Sequence, residues 1–242
     1  MVDRLGRVNE QTPGVFITFE GGDGAGKTTQ LSLLEGWLQE LGLTCERTRE
    51  PGGTPVGERI RTLVLAHGQG EVDPRTEALL FAASRAAHVA QRIRPALRAG
   101  RIVVCDRYID SSVAYQGVGR ELGAGQVASL NAWATEDLQP DLTVVLDADP
   151  TMGRERRADR SDGPDRIESS ADEFHVRLRR AFLDCADAAP HRYLVLDAAQ
   201  DPDTLQERIR ERVETLLAVP QGRTAAEGPS DTPRGVRREG TE

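Results

Sequence analysis

The sequence predicts an α/β fold of three layers, a five-stranded parallel sheet held between helices. Short, continuously apolar runs recur along the chain, as in strands buried on both faces. Helical periodicities fill the intervals between them. Strand–helix alternation of this kind builds a parallel sheet with helices on each side.

The first strand is read at Val15-Phe16-Ile17-Thr18-Phe19, before a glycine-rich turn. A helix over 27–41 follows, with Leu31, Leu34, Leu38 and Leu41 at three- and four-residue spacing. A weaker strand covers Thr44 to Arg49. Residues 75–99 read as a helix carrying Leu79, Leu80, Ala83, Ala87, Ile93 and Leu97. The runs Ile102–Cys105, Leu142–Leu146 and Tyr193–Leu196 complete the five strands, and each is followed directly by an aspartate, Asp106, Asp147 or Asp197. Residues 170–188 and 203–218 supply further amphipathic helices; Leu205, Ile209, Val213, Leu216 and Leu217 share a face in the last. Residues 1–13 and 220–242 have the composition of disordered tails, which leaves one domain over 14–219.

Composition narrows the role. The 242 residues are 38% hydrophobic, enough for a core, and carry a net charge of −8, a poor match to general nucleic-acid binding. Cys45, Cys105 and Cys185 are odd in number and widely spaced, which argues against a disulfide framework or zinc site and suits a reducing, cytoplasmic setting. No apolar run is long enough to span a bilayer, and the N-terminal residues lack a signal-peptide core, so no membrane role is expected.

Chemistry enters at Gly21-Gly22-Asp23-Gly24-Ala25-Gly26-Lys27-Thr28-Thr29. Gly21-x-x-x-x-Gly26-Lys27-Thr28 fits the P-loop pattern, between an apolar strand and an amphipathic helix as that motif requires. The glycines let backbone N–H groups converge on an anion, and the helix N-terminus adds its positive end. Of 31 basic residues, 30 are arginine, and the only lysine is Lys27. A compact ammonium enters between phosphates where a planar guanidinium fits poorly. Thr28 is the candidate Mg²⁺ ligand, with ATP as the nucleotide. The single lysine also removes the base-reading N-K-x-D of GTPases. The chain is too short for most motor architectures, and the added domains of ring-forming ATPases are not seen. A nucleotide or small-molecule kinase remains.

"TREPGGT" (48–54), "LLFAASRAAH" (79–88), "VVCDRYIDSSVAYQG" (103–117) and "PDRIE" (164–168), in this order with the P-loop, resemble bacterial members of the thymidylate kinase family. The resemblance covers about residues 14–218 and implies the P-loop kinase fold, ATP and dTMP as substrates, Mg²⁺, and a homodimer. It implies that Phe81 stacks on thymine and Arg85 bonds a base carbonyl. Periodicity alone reads Phe81 as core and Arg85 as a solvated face. Ser112 and Gln116 resemble the pair that reads the base edge. Tyr115 resembles the residue packed under the sugar, or is an ordinary core tyrosine. Arg107 and Arg61 resemble the grip on the acceptor phosphate, although Arg61 also reads as a helix-surface residue. Asp106, at a strand end, suits Mg²⁺ or its waters, or else caps a helix. Glu50 is assigned to organising its loop and the metal's outer shell. Asp23, a carboxylate inside an anion cradle, is expected to face the acceptor's 3′-hydroxyl.

Residues 149–168 read as an arginine-rich lid. Arg154, Arg157 and Arg160 lie close to one helical face with Arg156 beside them, and a solvated basic helix is the plain alternative. The P-loop carries no arginine, so by the resemblance the lid supplies positive charge over the transferring phosphoryl group. Arg154, Arg157 and Arg160 are the candidates; Arg166 is assigned to structure or adenine stacking.

Overall fold

A computed structural model describes residues 14–68, 70–158, 167 and 172–218. The expected tails and much of the lid, including Arg160 and Arg166, lie outside the described residues, as does the side chain of Arg157.

Five strands form one parallel sheet: β1 Phe16–Glu20, β2 Cys45–Arg49, β3 Ile102–Asp106, β4 Leu142–Asp147 and β5 Tyr193–Asp197, in the order β2-β3-β1-β4-β5. β1 is central, with Ile17 opposite both Val104 and Leu142. Its alternate side chains go to opposite faces, as a strand's period of two requires. Ile17 and Phe19 join Leu31, Leu34 and Leu38 of α1 (Lys27–Glu40) and Ile209 and Val213 of α9 (Pro202–Ala218) in one layer. Phe16 packs on the other face with Val89, Ile93 and Tyr108. A further cluster unites Val145 and Tyr193 with Tyr115, Phe174, Leu178 and Phe182. Phe174, Leu178 and Phe182 belong to α8 (Asp172–Ala188). Burying each such leucine or phenylalanine contributes roughly 1.5–3 kcal/mol, which fixes β1 and so the loop that follows it.

The weak strand signal over 44–49 has a plain cause. β2 is an edge strand, mostly half-buried, and its polar sequence CERTR uses Arg47 and Arg49 on an open edge. The helix read over 75–99 is one rod in three parts: α3 Pro74–His88, a π-helical turn Val89–Ile93, and α4 Arg94–Arg98. Asp73 caps it by accepting from the backbone N–H groups of Arg75 and Thr76.

Several elements carried no clear signal. α2 (Pro55–Leu65) is capped by Thr54, whose hydroxyl accepts from Gly57 N at 3.1 Å, with proline in its first turn. α5 (Ile109–Ser112) runs into a π-helical segment, Val113–Gly119. α6 (Ala124–Thr135) is rich in small residues and weakly amphipathic. α7 (Pro150–Ala158) opens the lid, of which Ile167, buried beside the cavity, is also described.

Candidate active site

Ligands of open α/β sheets gather outside the carboxyl ends of the strands, and here β1, β2 and β3 end on a cavity of about 360 Å³. The P-loop forms its floor. Lys27 is buried, and its ammonium donates to the carbonyls of Gly21 (3.1 Å) and Gly22 (2.8 Å). Burial and the neighbouring Arg107 guanidinium both lower its pKa. Asp23, Gly24, Ala25, Gly26 and Thr28 line the cavity with it, whereas Gly21, Gly22 and Thr29 do not. Gly24 has φ +80°, and a Cβ there would meet the carbonyl oxygen of Gly153 at 2.5 Å. Only a glycine lets α7 sit this close to the loop.

Arg107 is the hinge of the site. It follows β3 with φ +67°, a left-handed conformation uncommon for a residue with a Cβ. Its Nη1 donates to Gly21 O (3.1 Å) and Ser111 Oγ (3.0 Å), and its Nη2 pairs with Asp23. The guanidinium carbon lies 5.1 Å from the Tyr115 ring centroid, and Tyr115 donates its hydroxyl proton to Asp23 at 2.7 Å. Burial acts to raise the Asp23 pKa, but Arg107, Lys27 and the Tyr115 hydrogen bond outweigh it and hold the carboxyl well below the usual range. The P-loop carboxylate is therefore fastened to Arg107 and Tyr115.

A second buried cluster organises the far wall. Arg85 is 1% exposed. Its Nε donates to Glu50 at 2.6 Å, Nη1 to Ser112 Oγ at 2.9 Å and to Asn131, and Nη2 to Tyr108 O at 2.9 Å. Four of its five N–H groups are thus held by the protein, which leaves one on Nη2 for a ligand in the cavity that Arg85 lines. The alternative of a solvated Arg85 is excluded. Glu50 also meets His88 Nδ1 at 2.9 Å, and His88 Nε2 lies 2.7 Å from Thr48 Oγ1. Glu50 is 4% exposed and bound on the protein side by both groups, so its placement fits loop organisation. A Cβ at Gly53 (φ +77°) would meet the His88 ring at 2.6 Å, which accounts for the second glycine of "EPGGT".

Phe81 is half-buried: it lines the cavity and also packs against the Tyr115 cluster. Arg61 Nη1 donates to Pro51 O at 3.1 Å. Gln116 donates to Glu77 at 3.0 Å and is 1% exposed. Arg61, Ser112, Tyr115 and Gln116 all line the same cavity. Asp106 lines it too, and its Oδ1 is buried with no hydrogen-bond partner among the described residues. An orphaned carboxylate oxygen in the cavity that Thr28 also lines is a donor set that fits Mg²⁺ or its waters. Among the described residues no three His, Cys, Asp or Glu side chains gather into a metal cage.

In the lid, Arg154 is exposed and does not line the cavity. Arg156, set beside the three sequence candidates, does line it, and its guanidinium lies within 3.5 Å of Gly24 O and 3.3 Å of Ala198 O.

The thymidylate kinase family model matches residues 19–209. The chain belongs to the thymidylate kinase family. It is 53% identical over 204 residues to the thymidylate kinase of Cutibacterium acnes, covering 84% of this chain and 98% of that protein. To that of Leifsonia xyli it is 54% identical over 202 residues, 84% and 95% of the two chains. The crystal structure of thymidylate kinase from Ehrlichia chaffeensis aligns with a TM-score of 0.67 at 35% identity, covering 84% of this chain and 99% of that one. The P-loop kinase fold expected from the motifs is thus the family's fold.

Residues that sequence reasoning gave no role complete the picture: Glu20, His88, Ser111 and Asn131, and Arg156, noted there only as a neighbour of the lid candidates. His88 could have been found, because it follows Arg85 by three residues and so shares its helical face. Asn131 stands in an alanine-rich helix with no motif to mark it.

Proposed function

We propose that the chain transfers the γ-phosphoryl group of ATP to dTMP, giving ADP and dTDP. The observation that carries this is a single cavity holding both halves of such a reaction. Lys27, Thr28 and the P-loop form one side, and Phe81, Arg85, Ser112, Tyr115 and Gln116 the other. Family membership supplies the acceptor's identity.

The acceptor is itself a phosphate, whose oxygens are anionic near neutral pH. No general base is needed, and catalysis is positioning plus charge neutralisation. Lys27 lies where it can swing from the loop carbonyls to the β- and γ-phosphates. Mg²⁺ held by Thr28 and Asp106 would neutralise phosphate charge. Arg107 and Arg61 receive the acceptor phosphate. Phe81 stacks on the base and the remaining Arg85 N–H meets its carbonyl. Asp23 accepts from the 3′-hydroxyl and holds Arg107. The lid arginines Arg154, Arg157 and Arg160, with Arg156 now added, bring positive charge over the transferring group and exclude water.

The family expectation of a homodimer has a surface to match. Val56 and Leu63 of α2, Leu79 of α3 and Trp133 of α6 are exposed apolar side chains on neighbouring helices, and Trp133 is 82% exposed. A cytoplasmic setting fits; no helix among the described residues is long and apolar enough to cross a membrane. The test is a coupled ADP-release assay. ADP should form only when ATP, Mg²⁺ and dTMP are all present. Tight ATP binding without dTMP-dependent turnover would refute the reading and point to a P-loop switch.

A further inference from the structure

We propose that Glu20 and Ser111 are positioning residues that set the Arg107 guanidinium for the acceptor phosphate, an inference that rests on the kinase reading above. Glu20 ends β1 and is fully buried behind the P-loop. Its Oε1 accepts from Tyr108 N at 2.7 Å and Ser111 N at 3.3 Å, and its Oε2 accepts from Ser111 Oγ at 2.6 Å. Above its raised pKa of about 7 the Glu20 carboxylate only accepts, so the single hydroxyl proton of Ser111 is then drawn to Glu20. The lone pairs of Ser111 Oγ then face Arg107, which donates to it at 3.0 Å.

The backbone is fastened by the same carboxylate. Arg107 N donates to Phe19 O at 2.9 Å, and the next amide, Tyr108 N, donates to Glu20. The left-handed Arg107 is therefore pinned on both sides by β1. A residue held in a strained conformation by surrounding bonds is one whose placement is over-determined. Gly21 O, Ser111 Oγ and Asp23 take three of the five guanidinium N–H groups, both on Nη1 and one on Nη2. The other two belong to Nε and Nη2, the edge that presents a bidentate fork to a phosphate. Glu20 touches neither that edge nor the cavity; it acts through Ser111 and the loop.

The test, run at pH 8 where Glu20 is ionised, uses the full-length protein with Glu20→Gln, Ser111→Ala, the double variant, and Glu20→Gln in an Arg107→Ala background. A glutamine amide would donate to Ser111 Oγ and reverse its polarity. Each single variant should raise the acceptor KM by about tenfold, the loss of one charge-assisted hydrogen bond, with the ATP KM changed less than twofold. The double variant should cost no more than either single, because both remove one bond. In the Arg107→Ala background Glu20→Gln should leave the acceptor KM unchanged. Equal rises in both KM values, additive losses, or a full effect without Arg107 would overturn the proposal. Should Glu20→Gln fail to fold, Ser111→Ala alone decides it by the same split. The wild type is first run on several monophosphates. Preference for one other than dTMP refutes the dTMP reading, and the variants are then compared on that monophosphate, so the two failures are distinguishable.

Discussion

Asp23→Asn isolates the part of the P-loop that does not serve ATP. In the protein Asp23 accepts from Tyr115 and pairs with Arg107, and the two ion-pair side chains are only 15% and 17% exposed. Asparagine keeps the shape but offers one oxygen and one NH₂. If the oxygen serves Arg107, the NH₂ faces Tyr115, whose hydroxyl can rotate to accept. If the NH₂ faces Arg107, two donors meet. Either way the charge opposite a mostly buried guanidinium is gone. Truncating one member of such a pair costs roughly 2–5 kcal/mol, and the isosteric change belongs at the lower end. About 2 kcal/mol is about 30-fold in an equilibrium constant. The KM for dTMP should rise by that factor in a coupled assay, while the ATP KM stays within about threefold, since the P-loop amides and Lys27 are untouched. A rise in the ATP KM with dTMP use intact would refute the assignment of Asp23 to the acceptor side.

Arg85→Ala leaves the Glu50 carboxylate buried with, among the described residues, only His88 paired to it, and should cost roughly 3–5 kcal/mol of stability by urea unfolding; a loss under about 1 kcal/mol would contradict the buried network. Burial and the nearby Asp110 carboxylate push the Glu20 carboxyl up to about 7 from 4.5. The folded protein then holds a proton that the unfolded chain has released, so this group's contribution to stability falls as pH rises from 4.5 through 7. Melting temperatures of Glu20→Gln relative to wild type should therefore shift in the variant's favour between pH 5 and pH 8, and a constant offset would contradict this. Trp133→Asp, on the exposed α6 face, should give a monomer in sedimentation while the wild type sediments as a dimer; a wild-type monomer would refute the interface.

The sheet was legible because its central strands are continuous apolar runs, and the donor half of the site because the P-loop is a local motif with its own geometry. The edge strand β2 and the small-residue helix α6 were faint, since neither has a strong one-sided pattern. The acceptor half was legible only through family resemblance. Phe81 and Arg85 share a helical face, but nothing local says that this face lines a cavity and that Arg85 is buried among Glu50, Ser112 and Asn131. Glu20 was invisible for a similar reason. A glutamate at a strand end ordinarily reads as exposed, and its partners Tyr108 and Ser111 come from a segment about ninety residues away. In the lid the three-residue spacing picked out Arg154, Arg157 and Arg160, whereas the close approach of Gly24 and Gly153 turns Arg156 toward the P-loop.

Acceptor choice is the most direct test of what this cavity is for. A coupled ADP-release assay should compare dTMP, dUMP, UMP, CMP and AMP at saturating MgATP, reading kcat/KM for each. The account predicts dTMP first, with UMP, which adds a 2′-hydroxyl and lacks the base methyl, at least about a hundredfold poorer. Equal or better turnover of UMP would contradict it.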